Sequence, residues 1–304
     1  IDELEKMNLS SLVKHITFTT YLSLKKHNPN EFDLVYLDEC HSLKYSHELF
    51  LANFTGKILG LTGTPPKHIK SEKGMLVQKY CPILYSFDVD SAADSNIIND
   101  YKIVIHYLEL SKLPTLKKKT KAGGHWYTTE KKDYDYVTSR IADAMTDKQE
   151  QFGRIMRMRA LMDYTTKELY VKGLLKNTND KCIVFANTMK QADRICKYSY
   201  HSKNKKSDEN LELFSDGRIN SLSCVLQLSE GISISNLKQG IIMHAYGNEK
   251  KTAQRIGRLL RLSPSEEAIC HVLCYKGTQD EKWVNSALQS FDSNKVFIFN
   301  PLKQ

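Results

Sequence analysis

No two of the seven cysteines are spaced C-x-x-C, and Cys40, Cys81, Cys182, Cys196, Cys224, Cys270 and Cys274 fall mostly within apolar, strand-like runs. That pattern argues against a zinc site and is expected of reduced thiols in a core. No apolar run approaches the length of a membrane span and no charged-then-apolar leader opens the sequence, so a cytoplasmic setting without membrane contact is expected. No segment recurs at the periods of a solenoid. An initiating Met is absent, and so is any G-x-x-x-x-G-K-[ST], the loop whose backbone N–H groups and lysine cradle nucleotide phosphates. Thr55-Gly56-Lys57-Ile58 has Gly-Lys with a flanking threonine, but it lacks the earlier glycine and the following hydroxyl and reads as a turn.

What is present is ample for a globular protein. The 304 residues, 41% of them hydrophobic, suffice for roughly two domains. The net charge of +9 favours a polyanionic partner such as nucleic acid. Short apolar runs recur at 32–37, 57–61, 101–110, 181–186, 222–228, 240–244 and 271–275, with helix-period segments between several of them. This alternation predicts an α/β fold with parallel sheets. The span 147–177 reads as helical: Asp147 and Glu150 have capping-box spacing, and Ile155, Met158, Met162 and Leu169 form one stripe assigned to core packing. Thr188 and Gln191 repeat that spacing just after the run 181–186, which predicts a strand-to-helix turn. The polar stretch 88–100 divides the chain into a first domain, 1–88, and a second, 89–304, with a basic insertion at about 111–132. Within that insertion Lys118 and Lys119 can meet phosphates while Trp126 and Tyr127 stack on bases; the competing reading is a surface loop whose aromatics fold back on the protein.

Chemistry concentrates at three places. Asp38-Glu39-Cys40-His41 directly follows the run 32–37, which reads as a strand covered on both faces, and ligands of open α/β sheets sit at the carboxyl ends of such strands. The first carboxylate suits the Mg²⁺ of a nucleoside triphosphate and the second suits activation of water. Thr62-Gly63-Thr64-Pro65 closes the next strand, so Thr62 and Thr64 can hydrogen-bond the acids or their waters. In Gln254-Arg255-Ile256-Gly257-Arg258-Leu259-Leu260-Arg261, helical geometry gathers Gln254, Arg258 and Arg261 within about 60°, opposite Ile256, Leu259 and Leu260. Two arginines on a braced element can neutralise charge on a transferred phosphoryl group; alternatively they grip nucleic-acid phosphates.

With those motifs in view, the chain resembles superfamily 2 helicases, the DExH-box translocases, in the variant whose acidic motif reads Asp-Glu-Cys-His. Ile16-Thr17-Phe18-Thr19-Thr20-Tyr21 is similar to the family's nucleic-acid-contacting stretch, Thr62 to Pro65 to its coupling motif, and 181–188 to the opening strand of the second motor domain. The stretch 226–234, with Glu230 and Gly231, resembles the loop that touches both nucleic acid and nucleotide, although Ser233 stands where the family has an acid. The stretch 254–261 matches the final motif.

The resemblance implies two RecA-like lobes, the first incomplete, with ATP and Mg²⁺ between them. It also implies catalytic roles for Asp38, Glu39, His41, Gln254, Arg258 and Arg261. Coupling falls to Thr62, Gly63, Thr64, Glu230 and Gly231, and nucleic-acid contact to Thr19, Thr20 and Tyr21. Its style is nearest DNA translocases of phage and of restriction-type systems. The expectation is therefore the carboxy-terminal portion of an ATP-dependent DNA helicase or translocase, in the host cytoplasm if phage-encoded. Its N-terminal segment would be supplied in cis or in trans, and a repair, recombination or restriction partner is expected. Lacking the phosphate loop, this portion alone is expected to be inactive. The alternatives are a non-catalytic nucleic-acid-binding module on the same scaffold, or an RNA helicase.

Overall fold

The computed structural model describes residues 10–301 except 67, 88, 96, 98, 121–122, 226–233, 235–236, 246–265 and 290. The chain divides between Ser86 and Phe87 into two units.

In the first unit, β1 (Leu34–Leu37) and β2 (Lys57–Gly60) pair in parallel, Leu34 opposite Lys57 and Leu37 opposite Gly60. Gly56 is needed just before β2 because a Cβ there would lie 2.3 Å from the Asp33 carbonyl, which accepts the Lys57 N–H at 2.9 Å. The Gly-Lys dipeptide is thus a tight entry to a strand. Leu37 and Cys40 pack with Leu43, Phe50, Leu51 and the helix Glu72–Tyr80, which Ser71 caps by accepting the Gly74 N–H at 3.1 Å. The expectation that the run 32–37 is covered on both faces is corrected. Leu34 and Tyr36 are 45% and 64% exposed, and Leu59 and Leu61 on the neighbouring strand are exposed with them. Side chains alternate across a strand, so one face carries the core and the other, equally apolar, faces solvent.

The second unit holds a seven-stranded sheet in the order β11-β3-β10-β9-β6-β8-β7, every pair parallel. Its strands are β3 (Asp100–Leu108), β6 (Cys182–Phe185), β7 (Ser199–Tyr200), β8 (Ser221–Cys224), β9 (Gln239–Ile242), β10 (Glu267–Tyr275) and β11 (Val296–Phe299). Here both faces are covered. Ile183 and Phe185 enter one cluster with Ile242 and Val272, while Cys182 and Val184 enter the other with Val171, Ala192 and Ile241. That two-sided burial explains why these strands read as continuous apolar runs. All seven cysteines are buried free thiols.

The helical span 147–177 is two helices, Asp147–Asp163 and Thr166–Lys176, interrupted where Tyr164 turns to an extended conformation. The proposed stripe is corrected: on the first helix Met162 is buried but Ile155 is exposed, and the break resets the helical phase so that the second helix exposes Leu169 and buries Lys167, Glu168 and Val171. The N-cap is Thr146, which accepts the Gln149 N–H at 3.3 Å, rather than Asp147. At the second predicted start, Thr188 accepts the Gln191 N–H at 3.2 Å and Gln191 Oε1 accepts the Asn187 N–H at 2.9 Å, opening the helix Met189–Ile195.

His106 on β3 and His271 on β10 meet inside this unit, Nε2 to Nδ1 at 2.8 Å, with His106 Nδ1 at 2.8 Å from the Tyr170 hydroxyl. Burial, and secondarily His271, lowers His106 to about 3, and burial lowers His271 to about 4. Both folded values lie below the ordinary 6.5, so the unfolded chain binds more protons once the pH drops below 6.5, and stability is lost from there downward. His106 alone removes about 3 kcal/mol at pH 4. Urea midpoints should therefore fall more steeply between pH 6.5 and 4 for the wild type than for His106→Gln/His271→Gln; parallel curves would refute this.

Candidate functional site

The acidic motif sits where β1 ends. Leu61 N donates to Leu37 O at 3.0 Å and Cys40 N to Leu61 O at 2.9 Å, so the parallel pairing continues past both strands and brings residues 38–41 against 61–64. Below the motif the packing is tight. A Cβ on Gly60 would lie 2.7 Å from Cys81 Sγ and 3.1 Å from Cys40 Sγ, which leaves no room for a side chain there. Burial pushes the Cys81 thiol up to about 12 and raises Cys40 as well, so both remain thiols.

Glu39 has φ 49° and ψ 50°, a left-handed conformation, and among the described residues no other non-glycine has positive φ. Such a backbone costs about 1–3 kcal/mol and persists where its surroundings hold it. They do so here through a compact set of bonds. Thr62 Oγ1 donates to Glu39 Oε2 at 3.2 Å and accepts the Thr64 N–H at 3.1 Å. His41 Nδ1 lies 2.7 Å from Thr62 Oγ1, 3.1 Å from Glu39 Oε2 and 3.3 Å from Thr64 Oγ1. His41 Nδ1 thus faces the Glu39 carboxylate, which only accepts, and in the tautomer with Nδ1 protonated it donates into this set. Asp38 is exposed, and its Oδ1 accepts the Glu39 N–H at 3.0 Å. Gly63 is exposed, and open space surrounds its Cβ position.

The structure thus brings Asp38, Glu39, His41, Thr62 and Thr64 together. Tyr21 joins them in a way that motif reading missed: its hydroxyl donates to the Asp38 carbonyl at 2.7 Å and its ring packs 5.2 Å from that of His47. Burial raises the phenol, which stays protonated and so can donate. Thr19 and Thr20 are exposed on the preceding segment, Thr19 Oγ1 lying 3.0 Å from His27 Nε2. Glu230, Gly231, Gln254, Arg258 and Arg261 lie outside the described residues.

The basic insertion of the second unit is an antiparallel ribbon, β4 (Leu116–Lys119) with β5 (His125–Thr128). Thr120 N donates to Gly124 O at 2.9 Å, and Gly123 takes φ +86°, a conformation that glycine adopts without strain. Lys118 Nζ donates to Asp133 Oδ2 at 2.8 Å, an oxygen that also accepts the Tyr164 hydroxyl at 3.1 Å. Lys118 therefore pins the ribbon to the helix Glu130–Ala142, whereas Lys119 is exposed and Trp126 is 51% exposed.

A second polar centre, which sequence reading missed, ties carboxyl ends of the large sheet. Lys167 Nζ donates to Asp280 Oδ2 at 2.6 Å, to Met243 O at 2.7 Å and to Leu273 O at 2.9 Å, with both charged side chains fully buried. Its sequence signal was spacing: Lys167 lies four residues before Val171, on the same face of one helix, and both are buried.

Among the described residues, no helix is long and apolar enough to cross a membrane. Residues 162–263 match the helicase conserved C-terminal domain. The chain is 25% identical to the DNA 3'-5' translocase XPB2 of Sulfurisphaera tokodaii over 308 aligned residues, covering 88% of this chain and 65% of that protein. Among solved structures it is similar to the ATP-dependent Type ISP restriction-modification enzyme LlaBIII bound to DNA, with TM-score 0.58 and 13% identity over 93% of this chain and 23% of that one. It is also similar to S. cerevisiae Dbp5 bound to RNA and ADP BeF3, with TM-score 0.51 and 13% identity over 89% of this chain and 60% of that one. The chain thus spans less than two thirds of each of these proteins, and at such identities the structural likeness concerns the fold alone. The α/β architecture, with its seven-stranded parallel sheet, is that of RecA-like helicase lobes, and the stretch 162–263, running from before β6 to beyond β9, carries the match to the helicase C-terminal domain.

Proposed function

We propose that this chain is part of an ATP-dependent DNA translocase or helicase of the superfamily 2 DExH-box type, with its hydrolytic carboxylates at the end of β1. The observation that carries this reading is Glu39: a strained residue whose carboxylate is held by Thr62 and His41 at the carboxyl end of a parallel strand. Strain at such a place is expected of a residue positioned for chemistry rather than for packing. Asp38, an exposed carboxylate beside it, offers hard oxygen donors that fit Mg²⁺. Mg²⁺ entering with ATP would neutralise charge on the phosphates. Glu39 would orient water and accept its proton. Thr62, shared by Glu39, His41 and the Thr64 backbone, would transmit a shift of one strand end to the other. Tyr21 would link the acidic motif to the nucleic-acid-contacting segment through the Asp38 carbonyl. Gln254, Arg258 and Arg261, assigned from their motif, would supply an amide and two guanidinium groups suited to phosphate charge.

Two observations favour a further contribution, in cis or in trans. The sequence has no phosphate-cradling loop, and β1 and β2 leave one apolar face uncovered, where parallel sheets are ordinarily covered on both. The missing loop equally supports a second reading, a nucleic-acid-binding module without hydrolysis. DNA is chosen over RNA on similarity to a protein named as a DNA translocase. The test is ATP hydrolysis by the assembled protein with single-stranded, duplex and branched DNA and with RNA. Stimulation by DNA above RNA is expected. Nucleic-acid binding with no hydrolysis would favour the second reading, and stimulation by RNA alone would overturn the choice of DNA.

A further inference from the structure

The ribbon β4–β5 has two unlike faces. Strand alternation and the pairs Leu116 with Thr128 and Lys118 with Trp126 place these four residues on one face, which is anchored: Lys118 bonds Asp133, Thr128 is buried, and Leu116 packs against the cluster of Leu108, Leu110 and Tyr164. The pairs Lys117 with Tyr127 and Lys119 with His125 place the other four residues on the opposite face. All four are exposed, Tyr127 by 60%, and no ion pair or hydrogen bond of their side chains is found among the described residues.

We propose that this outer face, Lys117, Lys119, His125 and Tyr127, is a docking surface for single-stranded nucleic acid. The inference rests on the proposed translocase reading and specifies a contact surface for it. Charge complementarity selects the occupant. Lys117 and Lys119 stand at i, i+2 on one strand, about 6.8 Å apart along the backbone, and among the described residues no acidic partner neutralises either. Beside them Tyr127 offers an aromatic face, which a base can cover only when it is not stacked in a duplex. Lys118, by contrast, is committed to Asp133, so the contribution of the basic run to binding comes from its alternate residues.

The test is fluorescence anisotropy of a labelled single-stranded DNA oligonucleotide with the 304-residue chain over a range of salt concentrations, repeated with the matching duplex. Lys117→Ala/Lys119→Ala is expected to reduce the slope of log K against log salt by about 1.4, at roughly 0.7 per phosphate contact. Tyr127→Ala is expected to weaken single-strand binding about tenfold, with the slope and duplex binding unchanged. Lys172→Ala/Lys176→Ala, which removes the same charge from another exposed surface, should leave the slope unchanged. Circular dichroism of each variant checks the fold. If wild type binds but neither ribbon variant differs from it, or if both double-lysine variants lower the slope equally, the docking surface is wrong and the translocase reading stands. If wild type binds no nucleic acid, the docking surface is wrong, and the translocase reading is decided separately by hydrolysis in the assembled protein. Equal loss on single strand and duplex for Tyr127→Ala would overturn the stacking role.

Discussion

Glu39→Gln is expected to lower DNA-stimulated ATP turnover by the assembled protein about 10²- to 10⁴-fold while leaving its melting temperature nearly unchanged. Proton transfer by a positioned side chain contributes a factor of that size, and an amide cannot accept the proton. Glutamine keeps the shape of glutamate and still offers an oxygen to the Thr62 hydroxyl, now 3.2 Å from Oε2, so the left-handed turn should survive. The separation matters because Glu39 also has structural bonds. A variant that lost both turnover and stability would indicate that the residue only secures the turn. Steady-state hydrolysis with saturating DNA, alongside thermal denaturation, distinguishes the two. Unchanged turnover in Glu39→Gln would remove Glu39 as the base.

Lys167→Met should destabilise the second unit by about 3–5 kcal/mol, the cost of stranding a buried charge. Lys167 Nζ satisfies Asp280 and two backbone carbonyls at once, and the two side chains are closed off from solvent, at 0% and 1% exposure. Asp280 also accepts the Tyr275 N–H at 2.9 Å through the same Oδ2, whereas its Oδ1 is buried with no hydrogen-bond partner among the described residues, so the carboxylate has little else to stabilise it. The paired variant Lys167→Met/Asp280→Leu should recover part of the loss, because exchanging a whole buried ion pair for apolar groups is often close to neutral. Chemical denaturation of the single and paired variants measures both. A single-variant loss below about 1 kcal/mol would show that the pair is already hydrated.

Much of the architecture could be read from residue order. The apolar runs at 32–37, 57–61 and 181–186 hold the strands Leu34–Leu37, Lys57–Gly60 and Cys182–Phe185, the last of them buried on both faces, and Thr188 with Gln191 opened a helix through a purely local bond. Local signals failed where they required knowledge of what lies across a face. The run 32–37 is equally apolar on both sides, yet only one side is covered, and no periodicity within a strand reports its neighbour. The span 147–177 kept a helical period, but the turn at Tyr164 shifted the buried stripe onto Lys167, Glu168 and Val171.

The same division runs through the functional residues. Asp38, Glu39, Thr62 and Thr64 could be grouped from sequence, because two adjacent strand ends and two short motifs leave few arrangements. Which atoms meet was decided by folding: the left-handed backbone at Glu39, His41 turned into the Thr62 hydroxyl, and Tyr21 reaching the Asp38 carbonyl all arise from contacts between segments 17 to 23 residues apart. The lysine run shows the difference most simply. Composition announced its charge, but strand alternation and one carboxylate on a packed helix determined that Lys118 is held inward while Lys117 and Lys119 face solvent, since the side to which a side chain points depends on what the strand lies against.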